Sequence, residues 1–216
     1  MPLLHAVLPP MTISASTAGA GMAPPLAGAD DADLVRGVRA GRKEAILVVW
    51  DRYSPLVRGV LRRSLGPGQD VEDLVQEVFL GFFRNVGDLE DPGALRSFLV
   101  SIATRTAISE IRKRKVRSFL RLTDDGEVPD RAGPEDEGRE ALRQLYKLLD
   151  GCAASDRMAF VLRHIEGLPL EAVAKALDVS LATAKRKLAH VNERIVALAK
   201  RDPLLSEYVV AEAMSS

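Results

Sequence analysis

The sequence predicts an all-α protein made of two helical domains joined by a flexible acidic linker. Three observations carry that prediction. Apolar residues recur at i, i+3, i+4 and i+7 in one segment after another, the spacing of a single buried helix face. Period-2 alternation is absent and aromatic residues make up only 5% of the chain, so strands have little support. The net charge of zero is also a sum of opposed blocks. Residues 28–122 carry 17 basic and 13 acidic side chains, residues 123–140 carry 2 and 8, residues 141–201 carry 11 and 6, and residues 202–216 carry three acids alone. Two basic bodies are thus separated by an acidic strap.

The elements follow in order. Residues 1–28 hold no Lys, Arg, Asp or Glu and are rich in Ala, Pro, Gly, Ser and Thr, which predicts a disordered extension. A signal peptide does not fit, because a charged leading region is missing and Pro9-Pro10 interrupts the apolar stretch. The first body spans 29–122. Asp33 is placed to cap a short helix with Leu34, Val35 and Val38, which Gly41 would end. A longer helix carries Ile46, Val49, Trp50, Tyr53, Val57, Val60 and Leu61 on one face, with Pro55 expected to kink it and Gly66-Pro67-Gly68 to close it. Val71, Leu74, Val75, Val78, Phe79 and Phe82 then form the clearest stripe in the chain, and Asp73, Gln76 and Glu77 lie opposite. A last helix starts near Gly93, carries Leu95, Phe98, Leu99, Ile102, Ala103, Ile108 and Ile111, and runs into Arg112-Lys113-Arg114-Lys115, Arg117 and Arg121.

Residues 123–140, with Gly126, Pro129, Gly133 and Pro134 among the acids, have linker composition. In the second body, 141–201, Leu170, Val173, Ala174 and Leu177 make one buried stripe, and Pro169 suits that helix's first turn. Asp178 tolerates the left-handed conformation of a tight corner, and Ser180 is a good cap for a second helix from Leu181. The inner face of that helix reads Ala184, Leu188, Val191, Ile195 and Leu198, leaving Ala182, Thr183, Lys185, Arg186 and Lys187 in its first two turns. This is helix-turn-helix spacing, and the basic start of a recognition helix answers phosphate in a major groove. A plain helical hairpin with a solvated basic face has the same spacing.

Several function classes are excluded. No uncharged apolar run approaches the ~18 residues needed to span a bilayer. The lone Cys152 rules out an intramolecular disulfide framework and suits a reducing cytoplasm. His5, His164 and His190 are scattered without metal-ligand spacing, and no catalytic constellation is recognisable, so neither cofactor nor metal nor enzyme is expected. Helix macrodipoles account for Asp70, Glu72 and Asp73 near a helix start, but Gln76 and Glu77 lie too far into the helix. Six cations within residues 112–121 likewise exceed what a helix end needs, and nucleic acid is the more economical partner.

In that order these stretches resemble the extracytoplasmic-function, or group 4, sigma factors of bacterial RNA polymerase, from about Asp33 to Ala199. Arg52-Tyr53-Ser54-Pro55-Leu56-Val57 resembles the end of region 2.1, and Asp70 through Leu80 resembles region 2.2 nearly residue for residue. Leu95-Arg96-Ser97-Phe98-Leu99 through Ile111-Arg112-Lys113-Arg114 is similar to regions 2.3 and 2.4, and Glu166 through Ala174 with Val179 through Lys185 to region 4. The resemblance implies that Asp73, Gln76 and Glu77 dock on core RNA polymerase. It implies that Arg105, Arg112, Lys113 and Arg114 hold minus-10 promoter DNA and that Ala182, Thr183, Lys185, Arg186 and Lys187 face the minus-35 element. It also implies a base-capturing loop between Asn85 and Gly93, an anti-sigma factor as a further partner, and cytoplasmic action. The chain departs from the family's usual residues at Phe98, Thr106, Pro169, Asp178 and Arg186, so strand separation and minus-35 preference are expected to differ in detail. A stand-alone helix-turn-helix regulator is the alternative, and the acidic face, useless to such a regulator, discriminates the two.

Overall fold

A computed structural model describes residues 28–66, 70–122 and 137–199, with the side chains of 121–122, 137–142 and 198–199 outside that description. The expected disorder of the amino-terminal extension, most of the acidic strap, the carboxy-terminal tail and the inward placing of Leu198 therefore lie outside the described residues. Within them there are α-helices and short helical turns, and no strand.

Helix α1 (Asp31–Arg39) is capped three residues before the expected position, at Asp30 rather than Asp33. Asp30, in extended conformation, takes the Asp33 amide at 2.7 Å and so closes the first turn itself. Leu34, Val35 and Val38 are buried, and Gly41 at φ +70° ends the unit. Helix α2 (Lys43–Leu65) runs on through Pro55. That proline is exposed, so the backbone carbonyl it leaves unpaired faces water. Gly66, at φ +97°, closes α2 by donating its amide to the Arg62 carbonyl at 2.9 Å.

Helix α3 (Glu72–Asn85) buries Val75, Val78, Phe79 and Phe82, with Val71 buried just ahead of it. Helix α4 (Leu95–Leu122) begins two residues later than expected, because Asp91 takes the Gly93 amide at 2.9 Å and folds 92–94 into a tight 3-10 turn. Trp50 of α2 stacks at 4.6 Å on Phe79 of α3, and Phe82 meets Phe98 of α4 edge-on at 6.2 Å. The few aromatics of the chain are thus concentrated where three helices meet.

In the second body, α5 (Glu137–Asp150) starts inside the stretch whose composition reads as linker. Helix α6 (Ala154–Phe160) continues into a wider turn over Val161–Ile165, where the Glu166 amide reaches back five residues to the Val161 carbonyl at 2.9 Å. Helix α7 (Leu170–Leu177) buries Val173 and Ala174, with Leu170 and Leu177 half-buried. Pro169 is its cap rather than its first helical residue: ψ 153° keeps it extended. Asp178 is left-handed at φ 54°, ψ 52°, as the corner requires. Helix α8 (Leu181–Ala199) then begins on Ser180, whose Oγ accepts the Thr183 amide at 3.2 Å.

The two helical domains share a core. Met158, Leu162, Val173, Ala176 and Leu188 of the second body join one apolar cluster with Leu61, Leu99, Ala103 and Ile111 of the first. Both α6 and α7 pack against α4, and the 161–165 turn packs against α2. This explains why Ala176, on the α7 face opposite the sequence stripe, is buried.

Candidate nucleic-acid interface

Three surfaces are built on this frame. The first is acidic. Glu72 opens α3 but turns toward α2, where Arg58 grips it with two bonds of 2.7 and 2.8 Å and holds its carboxyl below the usual range. Asp73 and Glu77 have no such partner among the described residues, and with Gln76 they stand exposed. These three, with Leu80, Arg84, Ile102, Arg105 and others, line a groove of about 510 Å³ between α3 and α4. The carboxylates that the helix start does not consume are the ones left at the surface.

The second surface is cationic and lies along α4. Arg105, Arg112 and Lys113 are exposed and, with Ile108, Ser109, Val116 and Arg117, line a shallow concavity of about 750 Å³. Arg114 is set apart from them. It is half-buried and donates to Glu110 at 2.7 Å, and Arg117 reaches the same carboxylate at 2.7 Å. Burial pushes the Glu110 carboxyl up, but the two guanidiniums outweigh it and hold it below its ordinary value. The structure thus brings three of the four expected minus-10 residues to one face and ties the fourth to its own helix.

Arg105 lines both grooves, which places the cationic face directly beside the acidic one. The intervening loop between Asn85 and Gly93 has a brace that sequence reading missed. Arg39, at the end of α1, donates through Nε to the Val86 carbonyl at 3.0 Å and through Nη2 to the carbonyls of Gly87 at 3.4 Å and Leu89. Val86 and Leu89 are buried beneath it. One guanidinium therefore fixes a segment that has few side-chain anchors of its own.

The third surface is the start of α8. Ala182, Lys185 and Arg186 are exposed, and Thr183 is half-buried with its Oγ1 accepting from the Ser180 hydroxyl at 2.9 Å. Lys187 turns the other way. Its Nζ donates to Ser155 at 2.8 Å and to Asp156 at 3.0 Å in α6, and His190 Nδ1 lies 2.9 Å from the second Asp156 oxygen. Burial raises the Asp156 carboxyl, yet His190 and Lys187 outweigh that and leave it lowered. Asp156 is a hub that seats the basic helix, and no spacing in the sequence links it to residues 31 and 34 positions away.

Among the described residues no group of three or more His, Cys, Asp or Glu side chains could hold a metal ion, and no helix is long and apolar enough to cross a membrane. The arrangement offers one face for a cationic protein surface and two for an anionic polymer.

Residues 49–117 match the sequence profile of sigma-70 region 2, and residues 142–191 match that of sigma-70 region 4. The chain is 30% identical over 140 residues to the ferric citrate uptake sigma factor FecI of Escherichia coli, covering 62% of this chain and 78% of that one. It is 28% identical to RNA polymerase sigma factor CarQ of Myxococcus xanthus, covering 68% and 84%, and 27% identical to the ECF RNA polymerase sigma-E factor of Haemophilus influenzae, covering 76% and 93%. Among solved structures, CnrH in complex with the cytosolic domain of CnrY superposes with a TM-score of 0.55 at 20% identity, over 80% of this chain and 98% of that one. The sigma factor RpoE bound to the anti-sigma factor NepR, from Bartonella quintana, does so at 0.50 and 24%, over 71% and 95%. At these identities the structural likenesses speak for the fold alone.

Proposed function

The chain belongs to the sigma-70 family, in its extracytoplasmic-function group, and is a promoter-specificity subunit of RNA polymerase; from that premise we propose how its three surfaces divide the work. The acidic patch of Asp73, Gln76 and Glu77 docks on core polymerase. Arg105, Arg112 and Lys113 hold the backbone of the minus-10 strand, with Arg114 steadied by Glu110 beside them, and the loop braced by Arg39 presents the base-capturing edge. Ala182, Thr183, Lys185 and Arg186 face the minus-35 duplex, while Lys187 serves first to seat the helix.

The observation that carries this reading is the contrast within the first two turns of α3. Glu72 is neutralised by Arg58, whereas Asp73 and Glu77 stand unpaired among the described residues, next to a cationic groove. Surface carboxylates beside a DNA-facing groove repel phosphate, so their presence needs a protein partner of opposite charge. A stand-alone DNA-binding regulator gives them no purpose and is not favoured. The subunit acts stoichiometrically in the cytoplasm, has no catalytic step of its own and calls for no cofactor. An anti-sigma factor, of the kind that holds the Bartonella relative, is a further partner under this reading.

The test is co-elution of the full chain with core polymerase on a sizing column, with Asp73→Lys/Glu77→Lys alongside. The expected result is a one-to-one complex that the double reversal abolishes while helix content stays unchanged. A wild-type chain that stays apart from polymerase yet shifts duplex DNA would overturn the reading in favour of the regulator.

A further inference from the structure

The last turns of α4 leave large apolar side chains in water. Val116 and Phe119 are 59% and 69% exposed, and Leu120 beside them is 60% exposed. They are not scattered. Arg105, Ile108, Arg112, Val116 and Phe119 follow one another at helical steps of three and four, so the shallow concavity of about 750 Å³ along α4 runs on into an apolar end. Arg112, Lys113 and Arg117 flank that end with positive charge. Phosphate answers the cations and leaves the apolar side chains in water. A contiguous apolar patch rimmed by charge is the form of a docking surface, and it suits a segment that is both apolar and acidic.

Three long stretches of the chain lie outside the described residues, and only one of them has that chemistry. Residues 1–27 carry no charge to set against the cations. Residues 123–136 are acidic, but Val128 and Ala132 are their only apolar side chains apart from proline. Residues 202–216 have both properties: Asp202, Glu207 and Glu212 stand there without a Lys or Arg. Leu204, Leu205, Tyr208 and Val209 recur at i, i+1, i+4 and i+5, the spacing of one helical face, which Glu212 extends by a turn. The tail also starts on the right side of the molecule. Arg194 of α8 donates to the Gly151 carbonyl at 3.1 Å, and Lys115 of α4 donates to the next carbonyl, that of Cys152. The two helices thus meet at one turn, with Lys115 a single helical turn before Phe119 and Arg194 five residues before Ala199, where α8 ends. Residues 200–203 add up to about 13 Å of extended chain, enough to lay the apolar segment along the end of α4.

We infer that residues 204–212 dock on the exposed face of α4, their apolar side chains on Val116 and Phe119 and their carboxylates among Arg112, Lys113 and Arg117, and that the tail there competes with single-stranded nucleic acid for the same cations. The inference rests on the promoter-specificity reading above for the identity of the competitor. Tethering makes a weak contact sufficient. A short connector supplies an effective concentration on the order of 1 mM, so a contact with a Kd of about 0.1–0.5 mM keeps the tail docked about two-thirds to nine-tenths of the time. The apparent affinity of the groove for a strand then falls by about three- to tenfold. A strand that meets α4 alone is resisted, and one anchored through further contacts displaces the tail.

The experiment uses the full chain carrying the photoreactive substitution Phe119→p-benzoylphenylalanine, at a side chain exposed enough to be replaced without disturbing the core. Irradiation of dilute protein followed by peptide mapping reads what covers the patch. The expected product is an intramolecular crosslink to 204–212, lost when Tyr208→Ser/Val209→Ser is added. A crosslink to 123–136, to 1–27, to a second copy or to any other stretch, or no crosslink, would overturn the inference. The second readout is the affinity of the full chain for a fluorescein-labelled single strand of about 15 nucleotides. Tyr208→Ser/Val209→Ser leaves the charge unchanged and should bind that strand about three- to tenfold more tightly than wild type. Equal affinity, or no binding by either form, would overturn the competition. Failure of the promoter-specificity reading shows elsewhere, as a wild-type chain that does not co-elute with core polymerase, and the crosslink map would still decide where the tail sits.

Discussion

The two helices proposed to face DNA are seated by opposite means. Helix α4 rests on an apolar bed of Leu95, Leu99, Ile102, Ala103, Ala107 and Ile111, all buried, and the one buried hydroxyl there without a partner is Thr104 Oγ1. Helix α8 buries only Ala184, Leu188 and Val191 among its described side chains, and its orientation comes from Asp156 gripping Lys187 and His190 and from Ser180 closing its first turn. Apolar packing is non-directional and tolerant of pH. A hydrogen-bonded charge hub sets one orientation and fails as a unit when its centre is removed. The proposed minus-10 face is thus a rigid groove on a robust core, and the proposed minus-35 face is a precisely aimed helix on a few polar fixtures.

The largest test of that contrast removes the hub. Asp156→Ala leaves His190 without its acceptor and Lys187 with Ser155 alone, and should cost about 2–3 kcal/mol in chemical denaturation, with minus-35 duplex binding falling and polymerase docking through α3 retained. Unchanged stability would mean that α8 is held by its apolar residues alone. The same hub sets a pH signature. Because the Asp156 carboxyl is lowered in the folded chain, its stabilisation is fully present above the ordinary aspartate range, about pH 4. It is lost as pH falls through the lower folded value. Asp156→Asn should therefore flatten the acid limb of the stability curve, and a limb identical to wild type would place the acid sensitivity elsewhere.

Arg39 is a polar fixture of the first domain, a smaller counterpart of the hub. Arg39→Ala should cost about 1 kcal/mol and speed amide exchange in the 86–94 loop, while exchange in α4 stays slow. Equal protection of the loop in the variant would show that Val86 and Leu89 hold it unaided. On α8, Lys185→Ala and Arg186→Ala should each lower the salt slope of duplex binding by about 0.9. Lys187→Ala should lower it less and reduce stability instead. Equal slopes for all three would put Lys187 on DNA with its neighbours. The smallest effect is a gain: Thr104→Val replaces an unpaired buried hydroxyl and should stabilise the first domain by about 1 kcal/mol, read as a raised melting temperature.

These contrasts also mark how far the sequence was legible. The α3 stripe, the Asp178 corner, the Ser180 cap and the outward placing of Asp73, Glu77, Lys185 and Arg186 all follow from helical period and local chemistry, and the structure has them as read. What escaped was set by residues distant in the chain. Ala176 is buried because α7 meets the first domain, and Arg157 and Asp156 are buried at 2% and 8% because their partners arrive from other helices. Lys187 was grouped with Lys185 and Arg186 because adjacency in sequence says nothing about which neighbour a partner 31 residues away will claim. Arg114 was closer to legible, since Glu110 four residues earlier is the spacing of a helical ion pair.

Cys152 lies in the small cluster of Leu149, Phe160 and Val191 inside the second domain, fully buried, and burial pushes its thiol up. A maleimide or iodoacetamide can reach it only when its surroundings loosen. The chain's single sulfhydryl is thereby a native chemical clock: its alkylation half-life counts excursions of the second domain from its closed state, with no label added.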